Sequence, residues 1–175
     1  MRDIVSSIEA EWRRYKVLGE GAIGQIHDDE LGYDAGGNSV AVIVWHIAGN
    51  LRSRFTDFLD SDGEKPWRKR DSEFEDRSNV TRSELLEKWN TGWSALFTAL
   101  EPLSDEDLSR TVIIRGTKFR VHEALHRGLA HTSYHIGQIV FLAKGFRGSE
   151  WKSLTIPRGN SEKYNQNPTH EKPPR

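Results

Sequence analysis

Apolar residues recur every three or four positions along three stretches of the first hundred residues, which is the spacing of a buried helix face. The pattern predicts a first helix over about residues 3–26 and a second over about residues 39–60, the latter with Ser39 as its cap. A third helix is predicted to begin at Thr81, because Thr81 and Glu84 form a capping box, and to end at the next proline. The predicted inward positions are Ile4, Ile8, Trp12, Tyr15, Leu18, Ala22 and Ile26, then Ile43, Ile47, Leu51, Phe55 and Phe58, then Leu85, Trp89, Trp93, Leu96 and Leu100.

The segments after the second and third helices have different patterns. Residues 60–80 are polar and contain four Asp residues, one Gly and one Pro, which predicts a long loop. Trp67 is expected to pack this loop onto the body of the protein, because it is the large apolar side chain there. Residues 111–119 are β-branched on both sides of an Arg-Gly turn, which predicts extended chain and a short hairpin.

The last amphipathic pattern predicts a fourth helix over about residues 121–144, stopped by Gly145. Four helices of this length predict an all-α fold, an up-down four-helix bundle. A chain of 175 residues has room for one hydrophobic core. We therefore expect a single domain over residues 1–165, followed by a disordered tail over residues 166–175.

Charge and hydropathy argue against several kinds of partner. Lys and Arg number 25 and Asp and Glu number 26, so the formal net charge of −1 favours neither nucleic acid nor an anionic membrane. The basic run Arg68-Lys69-Arg70 is flanked by acidic residues, and no groove-reading motif is present. No apolar run approaches the roughly 20 residues of a membrane span, and the first residues lack a signal peptide's apolar core. These features predict a cytoplasmic protein with no nucleic-acid or membrane partner.

Histidine carries the candidate chemistry, because the chain has no cysteine to act as a nucleophile or a thiolate ligand. His131 and His135 stand at i and i+4, so both imidazoles can reach one ion from the same helix face. This spacing also occurs in helices that bind no metal. Here it falls on the stripe predicted to face the bundle interior, and His46 borders the inward stripe of the second helix. We therefore expect His46, His131 and His135 to bind one divalent metal ion. The remaining histidines are assigned to the outer face of the fourth helix, His122 and His126, or to loop and tail, His27 and His170.

Two segments resemble the DinB/YfiT-like metal-binding four-helix bundles. They are Val44-Trp45-His46-Ile47-Ala48-Gly49-Asn50 and His131-Thr132-Ser133-Tyr134-His135-Ile136-Gly137-Gln138-Ile139. The resemblance covers about residues 4–160, and residues 62–68 and 151–159 are similar to a particular uncharacterised branch of that superfamily. It implies a Zn²⁺ or Ni²⁺ site at His46, His131 and His135, and a homodimer. Better-characterised relatives are thiol transferases and isomerases that use bacillithiol, mycothiol or glutathione.

Two functions are compatible with such a site. Three imidazoles leave one coordination position open, so a metal-bound thiol could act as the nucleophile that the chain itself lacks. The first hypothesis is therefore a metal-dependent transferase that adds a low-molecular-weight thiol to an electrophilic small molecule. Asn50 and Gln138 are candidates for hydrogen bonds to a ligand ring or to substrate, and Tyr134 for a proton donor. The alternative is a non-catalytic, metal-stabilised binding or dimerisation module.

Overall fold

Four long helices pack as a bundle, and a two-stranded antiparallel hairpin precedes the last of them. The computed structural model describes residues 1–34 and 36–169, so the end of the predicted tail, residues 170–175, lies outside the described residues. The elements are α1 (Asp3–Ile23), α2 (Val40–Phe55), α3 (Arg82–Leu100), β1 (Thr111–Ile114), β2 (Thr117–Arg120), α4 (Val121–Arg147) and the short α5 (Ser161–Gln166). The most extensive packing joins α2 to α3 and α1 to α4. The predicted helical body is confirmed, and the hairpin adds a small β element.

Trp12 lies at the centre of the bundle. Its side chain is fully buried, and its ring meets Phe55 of α2 and Trp93 of α3 edge-on, at centroid distances of 5.8 and 6.0 Å. It also lies against Gly128 of α4, where a Cβ would stand 3.2 Å from ring atom Cζ2. One aromatic side chain on α1 therefore contacts all three of the other long helices.

The predicted helix caps are confirmed. Ser39 Oγ accepts a hydrogen bond from the backbone N–H of Val42, 3.2 Å away, and opens α2. At the start of α3, Thr81 Oγ1 accepts from the N–H of Glu84 at 3.2 Å, and Glu84 Oε2 accepts from the N–H of Thr81 at 2.9 Å. These bonds satisfy donors that have no partner inside the helix.

Helix ends away from these caps differ from the predictions. α1 ends before Ile26, which packs into the core from the following turn. α2 ends well before residue 60, and Asp57, just beyond it, adopts a φ of 46° that no regular helix accommodates. The prediction that Gly145 stops the fourth helix is wrong. α4 continues through Gly145 to Arg147, and the next residue, Gly148, has a φ of 52° that lies outside the helical range.

The loop between α2 and α3 docks on the hairpin. Arg115 and Gly116 form the hairpin turn with φ values of 53° and 73°, as expected of a two-residue type I′ turn. The Asp62 carboxylate accepts hydrogen bonds from both of their backbone N–H groups, at 2.8 Å each. The N–H of Gly63 donates to the carbonyl of Ile113 at 2.7 Å. Loop and hairpin therefore form one structural unit beside the helices.

Polar groups, and not Trp67, hold this loop to the bundle. Ser53 Oγ on α2 donates to the carbonyl of Gly63 at 2.8 Å and accepts from the N–H of Lys65 at 3.1 Å. Trp67 is 47% exposed and lies beneath the guanidinium of Arg52, 5.1 Å from its ring centre. The prediction that Trp67 anchors the loop is wrong, because backbone groups of the loop find a buried hydroxyl instead.

Candidate metal centre

Three histidines from two helices meet at one point of the bundle. α2 contributes His46 and α4 contributes His131 and His135, and one ligand nitrogen of each ring lies within 4.8 Å of the other two. The Nε2 atoms of His46 and His131 are 3.1 Å apart, and the ring centres of His131 and His135 are 4.6 Å apart. Two nitrogens bound to a tetrahedral zinc ion at its usual bond length lie about 3.3 Å apart. The spacing of the rings therefore fits a single divalent ion.

The paired histidines flank the core stripe of α4. Thr132, Ile136 and Ile139 are fully buried, whereas His131 and His135 are half-buried. The sequence pattern predicts that the histidines themselves point into the bundle interior. In the structure the deepest positions lie one residue further along, so the imidazoles stand at the edge of the core, where a small molecule can reach them.

Glu73 fixes the orientation of the His46 ring. Glu73 Oε2 lies 2.9 Å from Nδ1 of His46, and both side chains are buried. Arg68 holds the same carboxylate, with Nε 2.8 Å from Oε1 and Nη2 2.9 Å from Oε2. Burial opposes ionisation of Glu73, but hydrogen bonds from His46 and Arg68 bring its pKa below the ordinary value. Because an ionised carboxylate only accepts hydrogen bonds, Nδ1 of His46 carries the proton and Nε2 presents its lone pair.

Gln138 plays the corresponding part for His135. Its Oε1 accepts a hydrogen bond from Nδ1 of His135 at 2.8 Å, which leaves Nε2 of that ring free to bind a cation. The side-chain amide nitrogen of Gln138, Nε2, donates a hydrogen bond to the hydroxyl of Tyr134 at 3.3 Å. Tyr134, predicted from the sequence as a proton donor, is 65% exposed, and in these contacts its hydroxyl reaches His135 through Gln138.

His131 completes a donor set that suits a cation. Its Nδ1 is buried and has no hydrogen-bond partner among the described residues. Burial, together with the neighbouring His135 and His46, lowers the pKa of His131 to about 4, and burial also lowers the pKa of His135. Both rings of α4 are therefore neutral at pH 7 and able to ligate. A metal ion would be coordinated by the Nε2 atoms of these two rings and of His46.

Glu73 is the site residue that sequence reasoning missed. It lies in an acidic loop, 27 residues after His46, with no recognisable spacing to any histidine. The signal that could have found it is Gly49. A Cβ on Gly49 would overlap the Glu73 carboxylate and stand 2.6 Å from its Cδ. A glycine inside a helix costs about 1 kcal/mol relative to alanine, so one placed a turn after His46 marks a close approach by another group.

Gly49→Ala is therefore expected to weaken metal binding by up to about tenfold without altering any ligand, because the new methyl group displaces the Glu73 carboxylate from His46. Gly137→Ala is the matched control, since a Cβ at this position on α4 meets nothing within 4 Å. Competition with a chromogenic chelator measures both affinities. Equal affinities in the two variants would contradict the role given to Glu73.

The similarity to known families extends over most of the chain. A sequence model of the family described as "Protein of unknown function (DUF1572)" matches residues 1–160. The chain belongs to the DUF1572 family. The matched range contains the three histidines, Glu73 and Gln138, so the whole candidate centre lies within the part that defines a DUF1572 protein. No curated protein and no solved structure matches the chain.

The other predicted positions of the DUF1572 chain lie around the centre or away from it. Asn50 is half-buried and lines a cavity that His46 and His131 also line. His122 and His126 are exposed on the outer side of α4, as predicted. Of the two candidate amides, Asn50 therefore shares a cavity with His46 and His131, and Gln138 contacts His135 directly.

The basic run of the DUF1572 chain does not form a continuous charged surface. The side chain of Arg68 is 2% exposed and is held by Glu73, whereas Lys69 and Arg70 are exposed. Within residues 1–34 and 36–169, no helix combines the length and the apolar character needed to cross a bilayer.

Proposed function

We propose that this DUF1572 protein binds one Zn²⁺ or Ni²⁺ ion through Nε2 of His46, His131 and His135, as a member of the DinB-like group of metal-binding four-helix bundles. The observation that carries the proposal is that the three rings converge on one point. Glu73 orients the His46 ring and Gln138 orients the His135 ring, each through a hydrogen bond at Nδ1. Partners of this kind orient metal-ligating histidines and raise their basicity. Imidazole ligands suit zinc and nickel alike.

The residues of the chain prepare the site for a small-molecule substrate. Three imidazole ligands are the donor set of a catalytic zinc centre, since they leave a position open. The ion, when bound, lowers the pKa of a water or thiol placed on it. His46 and His131 line a cavity of about 240 Å³, so a small molecule bound there lies next to both rings. Asn50, on the wall of the same cavity, is proposed to donate a hydrogen bond to that substrate.

The proposed activity is transfer of a low-molecular-weight thiol to an electrophilic small molecule. A chain with no cysteine must take its sulfur nucleophile from a substrate. In the transfer the thiol gives its proton to solvent and its sulfur forms a bond to the electrophilic carbon. The bond from that carbon to the leaving group breaks, and the leaving group departs with its electron pair. Tyr134, at the outer edge of His135, is the proposed proton donor to that leaving group.

A thiol-transfer assay tests this activity. Protein stripped with a chelator is reloaded with Zn²⁺ or Ni²⁺ and offered bacillithiol, mycothiol or glutathione together with a reactive aryl chloride. We expect turnover that one of the metals restores in the wild type and in His126→Ala, an exposed histidine on the same helix, but not in His131→Ala. Absence of metal-dependent turnover with every thiol would contradict the transferase, while the metal content of the same samples reports on the site separately.

A second candidate function is a metal-stabilised dimerisation module without catalysis. A shallow groove along α4 is lined by Tyr134 and Phe141, which are 65% and 77% exposed. Exposed aromatic side chains of this kind mark contact surfaces, and a second copy of this chain is the proposed occupant. Sedimentation of metal-loaded and stripped protein distinguishes the two functions. A dimer that depends on metal, in samples without turnover, would favour the module.

A further inference from the structure

Five arginines converge on the cavity beside the histidines. They come from four separate parts of the chain, namely α2, the loop after it, the hairpin turn and α4. They are Arg54, Arg68, Arg70, Arg115 and Arg127. Among the described residues that line this cavity, none is acidic. A cavity wall of this composition attracts negative charge.

Carboxylates behind the wall neutralise part of this charge. Glu64 Oε2 lies 3.0 Å from Arg54 Nη1, 3.0 Å from Arg115 Nε and 3.8 Å from Arg68 Nη1, so one carboxylate is shared by three guanidinium groups. Glu73 is shared between Arg68 and the metal centre. Burial lowers the pKa of Arg54, and the nearby Arg68 and Arg115 lower it further despite the Glu64 partner. Glu64 and Glu73 are thus shared among three of the five arginines, so positive charge is in excess in the cavity wall.

Arg70 and Arg127 are the least neutralised members of the group. Arg70 stacks over Phe74 at 5.0 Å, and its ion-pair partner is the fully exposed Asp71, 3.7 Å away. Arg127 is exposed and lies 5.9 Å from the ring centre of Phe119. Ion pairs between exposed groups contribute little, so both guanidinium groups are available to a ligand.

The rest of the cavity sets the size and character of that ligand. Phe55, Phe58 and Ile114 supply an apolar part of the wall. The volume of about 240 Å³ is below the roughly 300–1,000 Å³ of most ligand pockets, which favours a small ligand group. A wall of this composition suits a small molecule that carries both an anionic group and an apolar part.

We infer that this cavity binds the carboxylate or phosphate group of a small organic substrate and thereby places the rest of the substrate beside His46 and His131. A guanidinium group bonds such an anion through two parallel N–H donors. Arg70 and Arg127 supply the principal contacts, while Glu64 holds Arg54 and Arg115 in place. The inference rests on the proposed function in taking the histidine cluster as the reaction centre.

Calorimetric titration of chelator-stripped protein tests the inference. The probes are inorganic phosphate, succinate and the neutral succinamide, at low and high salt. We expect both anions to bind at low salt and the neutral amide not to bind. Arg70→Gln/Arg127→Gln should weaken anion binding by about tenfold or more. Arg14→Gln/Arg158→Gln removes the same charge from exposed positions away from the cavity and should bind as the wild type.

The outcomes separate this inference from the metal proposal. Tighter binding of succinate than of phosphate identifies a carboxylate substrate, and the reverse order identifies a phosphate ester. The inference is overturned if neither anion binds, or if Arg70→Gln/Arg127→Gln binds as tightly as the control. The titration uses metal-free protein, so it does not depend on the metal proposal. If the protein binds the anions but is found never to retain metal, only the metal proposal is contradicted.

Discussion

Replacing Glu73 with alanine is expected to weaken metal binding by about 10- to 100-fold, the usual effect of losing the partner of a ligating histidine. Without this carboxylate nothing fixes the tautomer of His46 or the direction of its Nε2 lone pair. The same change should lower the free energy of unfolding by up to roughly 3–5 kcal/mol, because it leaves Arg68 charged in a buried position with only the more distant Glu64 carboxylate, 3.8 Å away, as its partner.

A double variant separates the two effects of losing Glu73. Arg68→Met/Glu73→Ala also removes the buried positive charge, so it should recover most of the lost stability without recovering metal affinity. Urea unfolding measures the stability, and chelator competition measures the affinity. A Glu73→Ala protein with wild-type metal affinity would show that His46 needs no partner at Nδ1.

Trp12→Ala is the second change with a large expected effect, a loss of about 3–5 kcal/mol in the free energy of unfolding. It removes the side chain that touches the other three long helices, through Phe55, Trp93 and Gly128. Neighbours held on three different helices cannot collapse into the space, so most of the cavity persists.

Trp67→Ala is the matched control for Trp12, since it removes the same side chain from a half-exposed position. We expect a loss of less than about 1 kcal/mol, as for most surface substitutions. Denaturant unfolding of both variants gives the comparison. Similar losses at the two positions would contradict the central place given to Trp12.

The predicted inward positions of α2 and α3 are all buried, because a helix between two neighbours repeats its apolar contacts every three to four residues. α1 departs from the pattern at its start, where Val5 is buried and Ile4 is exposed. Helix ends were harder to predict, since both Gly145 and Gly148 are possible stops in the sequence. The backbone angle at Gly148 depends on the chain that follows, and no local pattern specifies it.

The histidine pair could be predicted from the sequence, whereas the groups around it could not. His131 and His135 are one turn apart on a single helix, so their proximity is local. Glu73 and Arg70 reach the site through the fold of a loop, and the sequence around them shows only mixed charge. That the Arg68 side chain is buried while Arg70 is exposed depends on where Glu73 docks against Gly49. Such contacts between distant segments produce no periodic pattern of residues in the sequence from which they could be predicted.

Metal content is the most direct measure of the central claim that His46, His131 and His135 form one metal site. Elemental analysis is made on wild-type protein, on His131→Ala and on His126→Ala, all purified in the same way. We expect about one Zn²⁺ or Ni²⁺ per chain in the wild type and in His126→Ala, and almost none in His131→Ala. Metal content that is unchanged in His131→Ala would contradict the site.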